Sequence, residues 1–405
     1  MEQKIYRSCK NMLIYSFLAI IIGTLTGAVD AFFGEVLILI TETRDKNPMR
    51  LIPFLPLAGI LIMFLYKKLS EESLKGMTMV FQAGHGELDQ IPKMLIPLVI
   101  FSTWLTHLFG GSAGREGVAV QLGATIAHTI GKCFKSIADP RILLITGMAA
   151  GFAGLFQTPL AATFFAIEVL TSGVIMSEAL LPALLASYTA SMTSHFLGLE
   201  KFSVNINLGN AFSPSLSFFA KIALTAVIFG ITGGGFAHFL GFCKKYFAER
   251  IGNPMKRIFF MGCGISALLL LLHMGRYGGL GTNLIQKSFQ GSPIYSYDWI
   301  LKLLLTVLTL SAGYQGGEVT PVFSIGASLG VILGAILNLP AAFTAALGYA
   351  AVFGSATNTL FAPILIGAEI FGPQNTIYFA FVCAIAYVFN GNKTIYAAQK
   401  KFNSF

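Results

Sequence analysis

The segment Gly114-Arg-Glu-Gly-Val-Ala-Val-Gln-Leu-Gly123-Ala recurs in outline as Gly317-Glu-Val-Thr-Pro-Val-Phe-Ser-Ile-Gly326-Ala. In each copy two glycines stand nine residues apart and alanine follows, and the copies are 203 residues apart. A second block, 147–168, matches 348–369 at an offset of 201. Many transporters are built from repeats of about this length, with the substrate site at the repeat interface. We therefore expect a single membrane domain, 1–405, made of two halves, 1–205 and 206–405.

The alternative to a true repeat is chance similarity in a chain rich in glycine and alanine. Pro159 and Pro363 stand at different places in the two copies, so the repeat has diverged. Two blocks that agree in order, and nearly in offset, favour a repeat over chance.

The composition excludes a soluble enzyme and a disordered protein. Hydrophobic residues make up 55% of the 405 residues and charged residues only 11%, and the mean hydropathy is +0.73. A soluble domain has roughly 25% charged residues. The chain is therefore predicted to be an all-α polytopic membrane protein surrounded by a lipid bilayer.

The net charge of +9 could indicate a nucleic-acid partner, but the basic residues cluster at the chain ends and in short loops. Clusters of that kind indicate orientation in a membrane. We therefore expect no nucleic-acid partner and place both termini in the cytoplasm. The clusters are Lys4, Arg7 and Lys10; Lys67 and Lys68; Lys244, Lys245, Arg250, Lys256 and Arg257; and Lys393, Lys400 and Lys401.

Long uncharged stretches predict membrane helices, some of them broken. A single span needs about 20 apolar residues. The stretch 319–368 is more than twice that length and is interrupted by glycine and proline, so it must hold two or more helical segments. Broken helices at membrane depth occur only where they are buried in protein or line a water-filled cavity, which indicates a transport pathway. The stretch 11–29 is long for a signal peptide and is predicted to be the first membrane helix, and no soluble tail is expected after the last one.

Glu116 is the leading functional candidate, because it lies in the glycine-rich segment 110–117 between apolar stretches. The glycines leave backbone N–H groups free to point into a cavity, and a helix predicted to begin near Val118 directs its positive end at the same place. Such a site binds an anion without a full positive charge, so the ion can leave again. An ionised Glu116 competes for the site and a protonated one swings away, which couples anion movement to proton movement. The alternative is a solvated loop with a local ion pair between Arg115 and Glu116.

The repeat copy at 313–321 is predicted to be a second helix start. Pro321 suits the first turn of a helix, and Thr320 can donate its hydroxyl to an anion. An ionised Glu318 would repel an anion, so we expect a protonated carboxyl that donates a hydrogen bond or holds a proton in transit. The alternative is an ionised Glu318 that faces a loop.

Other polar residues in the apolar segments are interpreted as structural. Glu168 and Glu369 end apolar helices at matching repeat positions and are expected to bind backbone N–H groups or arginines. His85 and His107 lie near Glu87 without an H-E-x-x-H motif and are interpreted as packed, hydrogen-bonding residues.

Two further patterns are weighed as enzyme or metal signals. Ser112 and Ser328 each stand in a G-x-S-x-G sequence, but a hydrolase needs a strand–turn–helix context and a His/Asp pair, which neither has. The five cysteines are widely spread and show no ligand spacing, which argues against disulfides or a zinc site. No metal, cofactor or enzymatic activity is expected.

The motifs resemble the CLC family of anion channels and anion/proton antiporters over most of the chain. Residues 114–118, Gly-Arg-Glu-Gly-Val, look like the family motif G-R-E-G-P, and 316–321, Gly-Gly-Glu-Val-Thr-Pro, look like G-x-F-x-P. Residues 391–396, Gly-Asn-Lys-Thr-Ile-Tyr, look like the last helix, whose tyrosine lines the inner side of the anion site. The resemblance implies a CLC-type fold with two inverted-topology repeats, broken and re-entrant helices and no soluble regulatory domain. It also implies a homodimer with one pore per subunit.

The resemblance assigns roles to individual residues. Glu116 is the gating glutamate and Glu318 contributes to the proton route or to anion recognition. The anion site is implied to include Gly114, Arg115, Gly117, Val118, Val319, Thr320 and Tyr396.

Departures from the family pattern indicate its fluoride-transporting branch. Chloride-type members have G-S-G-I-P, with the serine on the ion, where this chain has Gly76-Met-Thr-Met-Val. Met77 is aligned with the serine, Met79 is the fallback, and Phe81 is a further candidate for the lining. Chloride antiporters of the family have an inner proton glutamate where this chain has Val169, which leaves Glu318 as the candidate for the proton route.

The resemblance therefore implies a fluoride/proton antiporter that confers fluoride resistance in a bacterial inner membrane. Backbone N–H groups, Thr320 and a protonated Glu318 can replace the water around fluoride. The alternatives are a chloride/proton antiporter or chloride channel of the same family, an intramembrane hydrolase, and a cation-coupled transporter of an unrelated inverted-repeat fold.

Overall fold

The computed structural model describes residues 2–134, 138–206 and 215–401, with side chains from residue 12 onward. The N-terminal basic residues Lys4, Arg7 and Lys10, and also Cys9, therefore lie outside the described side chains. The first half contains α1 (Glu2–Lys46), α2 (Pro48–Leu51), α3 (Leu55–Leu69), α4 (Met77–Gly84), α5 (Leu95–Leu108), α6 (Glu116–Cys133), α7 (Pro140–Phe156), α8 (Pro159–Glu168) and α9 (Leu180–Phe196).

The second half is also built from helices. They are α10 (Leu216–Arg250), α11 (Pro254–Leu271), α12 (Thr282–Gln290), α13 (Asp298–Ala312), α14 (Val319–Leu337), α15 (Ala341–Thr357), α16 (Phe361–Phe371) and α17 (Thr376–Val388). Short 3-10 helices lie at Ile52–Phe54, Glu71–Lys75, Ser177–Ala179 and Pro373–Asn375. Two short parallel strands, β1 (Thr171–Ser172) and β2 (Lys400–Lys401), join the two halves.

Helix lengths confirm the prediction of membrane spans mixed with broken helices. The uncharged stretch 319–368 is divided among α14, α15 and α16, and left-handed Asn338 and Asn358 end the first two. Helices α4, α8 and α16 are shorter than the about 20 residues of a full span. Within the described ranges, five segments are long and apolar enough to cross a membrane: Met12–Lys46, Pro48–Leu69, Leu216–Arg250, Pro254–Leu271 and Val319–Leu337.

The glycines matched in the sequence lie at two helix contacts of the same kind. In the first half, α6 packs on α7 so closely that a Cβ on Gly123 would lie 2.1 Å from the carbonyl oxygen of Gly147. In the second half, a Cβ on Gly326 of α14 would lie 2.1 Å from the carbonyl oxygen of Gly348 of α15. Only glycine allows such an approach. The matched glycines therefore specify the same helix pair in both halves.

Glu168 and Glu369 link the two halves in a reciprocal way. Glu168, at the end of α8, accepts hydrogen bonds from the backbone N–H groups of Leu360, Phe361 and Ala362 at the start of α16. Glu369, near the end of α16, accepts from those of Leu160 and Ala161 at the start of α8, with the shorter bond at 2.8 Å. Each carboxyl satisfies helix N–H groups that would otherwise have no partner. The interpretation of both residues as structural partners of N–H groups is confirmed.

The C-terminal segment differs from the expected helix. Residues 391–399 form turns and irregular structure, because Gly391 and Asn392 have positive φ angles of 66° and 52°. The segment is held by its neighbours instead: Ile395 N donates to Ala356 O at 2.9 Å, and Gln399 Nε2 donates to Val169 O at 2.8 Å. This arrangement fixes the segment that contains Tyr396 against both halves.

We predict that Glu168→Ala lowers the free energy of unfolding by about 2 kcal/mol, because it leaves buried N–H groups of α16 without acceptors. Thermal unfolding of the purified protein in detergent measures the effect. Glu178→Ala, which removes an exposed carboxylate nearby, is the matched control. Equal unfolding temperatures for the two variants would show that the hydrogen bonds from Glu168 to the start of α16 contribute nothing to stability.

Candidate functional site

Two glycine-rich loops meet where the repeats face each other. Gly114 N donates to Gly317 O at 2.5 Å and Gly317 N donates to Gly114 O at 2.8 Å, which forms an antiparallel bridge. Helix α6 begins two residues after the first glycine and α14 two residues after the second. The positive N-terminal ends of both helices are thereby brought together. Helix α6 begins at Glu116 itself, two residues earlier than predicted.

The carboxyl group of Glu116 accepts hydrogen bonds from donors at the start of α14. Its Oε2 accepts from Thr320 N at 3.1 Å and from the Thr320 hydroxyl, and it also lies 3.3 Å from Arg115 N. The side chain is 1% exposed. Backbone N–H and hydroxyl groups at a helix N-terminus are the donors that bind a small anion. The carboxyl group therefore stands where an anion would bind.

The alternative of a solvated loop is wrong for Glu116, whose side chain is buried, whereas the local ion pair that it included is present at a long distance. Arg115 Nε lies 3.9 Å from Glu116 Oε1, longer than either contact to Thr320. Within the described chain, Nε of Arg115 is buried without a hydrogen-bond partner. The Glu116 carboxyl group is thus held more closely by neutral donors of α14 than by its neighbouring guanidinium.

A cavity of about 630 Å³ adjoins this pair of helix ends. Four predicted site residues line it together: Met77, Phe81, Glu318 and Tyr396. Five others are buried around Glu116 instead of lining the cavity: Gly114, Gly117, Val118, Val319 and Thr320. The predicted residues therefore form two layers, a cavity wall and a buried ring of helix-end residues.

The structure distinguishes between the two methionine candidates. Gly76, with φ at +49°, starts α4 and places Met77 in the cavity wall. Met79 is 1% exposed and packs in the core away from the cavity. Met77 therefore lines the cavity and Met79 does not, and the assignment of Met77 to the anion site stays a prediction.

Tyr396 presents an unused donor to the cavity. Its ring stacks on Phe81 with centroids 5.0 Å apart. Among the side chains that the structure describes, none forms a hydrogen bond with its buried hydroxyl. A buried hydroxyl normally has a partner, so this group is available to a bound anion.

Glu318 faces the cavity, but its partner was not foreseen. Its Oε1 lies 3.2 Å from Lys244 Nζ of α10, and the carboxyl side chain is 14% exposed. The structure shows only that an ammonium group is its neighbour, so the expected protonated Glu318 stays a prediction. The sequence offered Lys244 only as part of a basic cluster at the end of α10.

Gln121 is a second residue that sequence reasoning missed. It lines the cavity, and its Nε2 donates to Gly117 O at 3.2 Å. Its position as a polar residue five places after Glu116, in an apolar helix, was the available signal. It connects the cavity wall to the first turn of α6.

The remaining polar candidates have structural partners. Ser328 donates to Ser324 O within α14, and Ser112 contacts Lys302 and Thr306 rather than a histidine. His85 contacts Leu170 O at 3.0 Å and His107 contacts Gly114 O at 3.4 Å, which confirms their hydrogen-bonding role.

Glu87 lies in the loop after α4, outside the membrane helices. Its Oε1 lies 2.6 Å from Lys400 Nζ, and this hydrogen bond lowers the pKa of Glu87. The pair links the loop after α4 to β2 and belongs to neither the cavity nor a metal site.

The sequence matches known proteins over most of its length. Residues 58–391 match the family model described as voltage gated chloride channel. A chloride/fluoride channel protein of Pseudomonas syringae pv. tomato is 34% identical over 359 residues, which cover 87% of this chain and 78% of that protein. The H(+)/Cl(-) exchange transporter ClcA of Vibrio cholerae is 26% identical over 388 residues, with coverage of 87% and 81%.

Solved structures give the same result for the fold. A CLC-type fluoride/proton antiporter is 52% identical with a TM-score of 0.94, and 96% of this chain and 98% of that chain are covered. A slow cyanobacterial Cl-/H+ antiporter is 21% identical with a TM-score of 0.81, covering 94% and 96%, and this likeness supports the fold alone. The architecture of both structures therefore extends over nearly the whole chain.

We predict that Lys244→Met slows transport through this site roughly threefold, the size expected for loss of a partly exposed ion pair. Lys245→Met is the matched control, because Lys245 lines the same cavity but its closest acid is Glu249 at 3.9 Å. Initial rates of ion efflux from proteoliposomes measure both variants. If they slow transport equally, the contact with Glu318 has no role of its own.

Proposed function

The chain belongs to the voltage-gated chloride channel family and has the CLC fold, and we propose that it is a fluoride/proton antiporter that exports fluoride from the cytoplasm. One observation carries the proposal: the Glu116 carboxyl group is bound by the N–H and hydroxyl donors of Thr320. The 52% identity to a CLC-type fluoride/proton antiporter supports the choice of ion.

In the coupling step, the Glu116 carboxylate and a fluoride ion take turns in binding the donors of Thr320. An ionised Glu116 binds Thr320 and excludes an anion from that place. When the carboxylate takes up a proton it loses its charge, so its attraction to the positive helix ends weakens and the side chain leaves. A fluoride ion then binds the vacated donors. The return of the ionised carboxylate releases the proton and displaces the fluoride.

Fluoride holds its water strongly, so the site must supply good replacement donors. Thr320 N, the Thr320 hydroxyl and the Tyr396 hydroxyl are neutral donors, two of which face the helix ends and one the cavity. Neutral donors bind a small anion without holding it permanently, as conduction requires. Met77 contributes no donor to the cavity wall.

Glu318 and Lys244 provide a charged pair on the cavity side of the gate. A Cβ placed on Gly117 would lie 3.9 Å from Glu318 Oε2, so this carboxylate is next to the first turn of α6. We infer that a proton released from Glu116 passes to the Glu318 carboxylate and from there to water in the cavity, while the Lys244 ammonium holds the Glu318 side chain in place. The chain has Val169 where chloride antiporters of the family have their inner glutamate, so this route replaces that one.

The second candidate is a chloride/proton antiporter or a chloride channel of the same family. The 26% identity to the H(+)/Cl(-) exchange transporter of Vibrio cholerae favours it. Met77 in the cavity wall, in place of the hydroxyl of a serine, supports fluoride instead.

The chain is an integral membrane protein, and we infer a bacterial inner membrane with both termini in the cytoplasm. The clustered lysines and arginines support this orientation. We also infer a homodimer, in line with the family pattern.

The proposed ion is tested by loading proteoliposomes with fluoride or with chloride and recording efflux and external pH together. We expect fluoride efflux accompanied by proton entry, and much slower chloride efflux. Fluoride efflux without proton movement would reduce the protein to a channel. Selective chloride efflux would support the second candidate.

We predict that Glu116→Gln abolishes proton movement while fluoride efflux is blocked or uncoupled, because an amide cannot ionise. Glu35→Gln, which replaces an exposed carboxylate on α1, serves as the control and should behave as wild type. The pH and fluoride electrodes of the same assay measure both variants. Coupled exchange retained in Glu116→Gln would contradict the assignment.

A further inference from the structure

Lys302 of α13 is a fully buried cation that the coupling mechanism above does not use. Its side chain is 0% exposed. Its Nζ lies 2.9 Å from Ser112 Oγ, 3.1 Å from Tyr277 O and 2.7 Å from Gly279 O. An ammonium group has three N–H bonds, and three acceptors surround this one.

The hydrogen-bond network requires that Lys302 is protonated. The Thr306 hydroxyl donates its only proton to Lys302 O at 2.8 Å. The 2.8 Å contact between Thr306 Oγ1 and Ser112 Oγ must therefore use the proton of Ser112. Ser112 has no second proton to donate, so Nζ must donate to it as well as to the two carbonyls. Three donated hydrogen bonds require the charged ammonium form.

This ammonium has no acidic partner. No carboxylate oxygen of the described residues lies within 4.0 Å of Nζ, and Asp298, one turn earlier on α13, is paired with Arg276 at 2.5 Å. A buried charge without a counter-charge is costly, and an ionisable residue inside a membrane protein is by default a functional candidate. A negative charge that is not in direct contact with Lys302 must therefore balance its positive charge.

The loop that leads to Glu116 is directly attached to this cation. Ser112 belongs to that loop, and Ala113 N donates to Gly279 O, the same carbonyl that accepts from Lys302. Lys302 lies near the start of α13, whereas Gly313, just past the end of that helix, lines the Glu318 cavity. The two positions are about 16 Å apart along the helix. Lys302 therefore contacts the loop 110–115 that leads to Glu116 and lies away from the cavity.

We propose that Lys302 is a positioning residue that acts through its permanent positive charge, stabilising the negative charge that alternates between the Glu116 carboxylate and a bound fluoride. All three N–H bonds are used, so Lys302 does not touch the ion. Its electrostatic effect is strong because a low-dielectric surrounding screens it little. The inference rests on the proposed function and extends it to a residue outside the cavity and the helix ends.

Two variants of Ser112 test the charge while keeping Lys302 in place. Ser112→Asp puts a carboxylate beside the ammonium and neutralises it, whereas Ser112→Asn is a neutral match of the same size. We expect Ser112→Asp to weaken fluoride binding, measured by titration calorimetry of the purified full chain, by about tenfold, which corresponds to about 1.4 kcal/mol. Ser112→Asn should stay within about twofold of wild type, about 0.4 kcal/mol on the same scale.

Lys302→Met gives an independent measurement, because it removes the charge and keeps the length of the side chain. We expect the same loss of fluoride affinity in the folded fraction, with a raised KM for fluoride efflux. Lys302→Arg keeps the charge and should stay within about twofold of wild type, which separates loss of the Lys302 charge from direct repulsion by the new carboxylate in Ser112→Asp. Equal losses in Lys302→Arg and Lys302→Met would overturn the proposal. Fluoride affinity equal to wild type in Ser112→Asp would overturn the proposal and leave Lys302 a purely structural tie.

Failure of the proposed function is distinguishable from failure of this inference. If wild type binds and exchanges chloride rather than fluoride, the proposed ion is wrong, and the same variants are titrated with chloride. A loss of chloride affinity in Ser112→Asp and not in Ser112→Asn would still support a charge effect of Lys302, and an equal affinity would overturn it.

Discussion

The organisation of the protein depends on backbone N–H groups at two helix ends that meet inside the membrane. The N-termini of α6 and α14 are held together by the bridge between Gly114 and Gly317, where side chains would prevent so close an approach. Thr320 and Glu116 are both buried, so the donors at this place are shielded from bulk water. A hydrogen-bond acceptor must satisfy them, and in this structure it is the carboxyl group of Glu116. In the proposed mechanism, gating and coupling follow from the exchange of that carboxyl group for an ion.

Charges around the gate are arranged so that the ion is attracted without being trapped. The Thr320 donors that hold Glu116 are neutral, and Arg115 Nε lies 3.9 Å from the other carboxyl oxygen. Lys244 pairs with Glu318 in the cavity, and Lys302 lies behind the loop with no acidic partner among the described residues. A fixed charge at a distance raises affinity, whereas a direct ion pair would slow release. This layout suits a site that must bind and release an anion in every cycle.

Much of the fold could be predicted from the sequence, because its strongest constraints are local. The glycine pairs of the repeat, the position of Glu116 and the hydroxyl of Thr320 could all be identified from residue type and spacing. The matched positions of Glu168 and Glu369 at helix ends predicted that both residues bind backbone N–H groups or arginines. The non-helical path of 391–399 could not be predicted, since its hydrogen bonds go to distant residues such as Ala356.

The partners of the charged residues Lys244 and Lys302 could not be predicted from the sequence either. Lys244 is 74 residues from Glu318, and Lys302 is 190 residues from Ser112. Residue spacing does not reveal either contact, because each contact depends on how distant helices pack together. The sequence already favoured Met77 over Met79, and the structure adds that Met77 lines the cavity while Met79 is buried in the core.

The central claim is that fluoride and the ionised carboxyl group of Glu116 compete for the same donors. Reciprocal linkage then requires that fluoride binding raises the proton affinity of the protein. The most direct measurement is calorimetry of fluoride binding in buffers of different ionisation enthalpy, which counts the protons taken up with each bound ion. The account predicts proton uptake on fluoride binding by the wild-type protein. Fluoride binding without any proton uptake, at every pH measured, would contradict it.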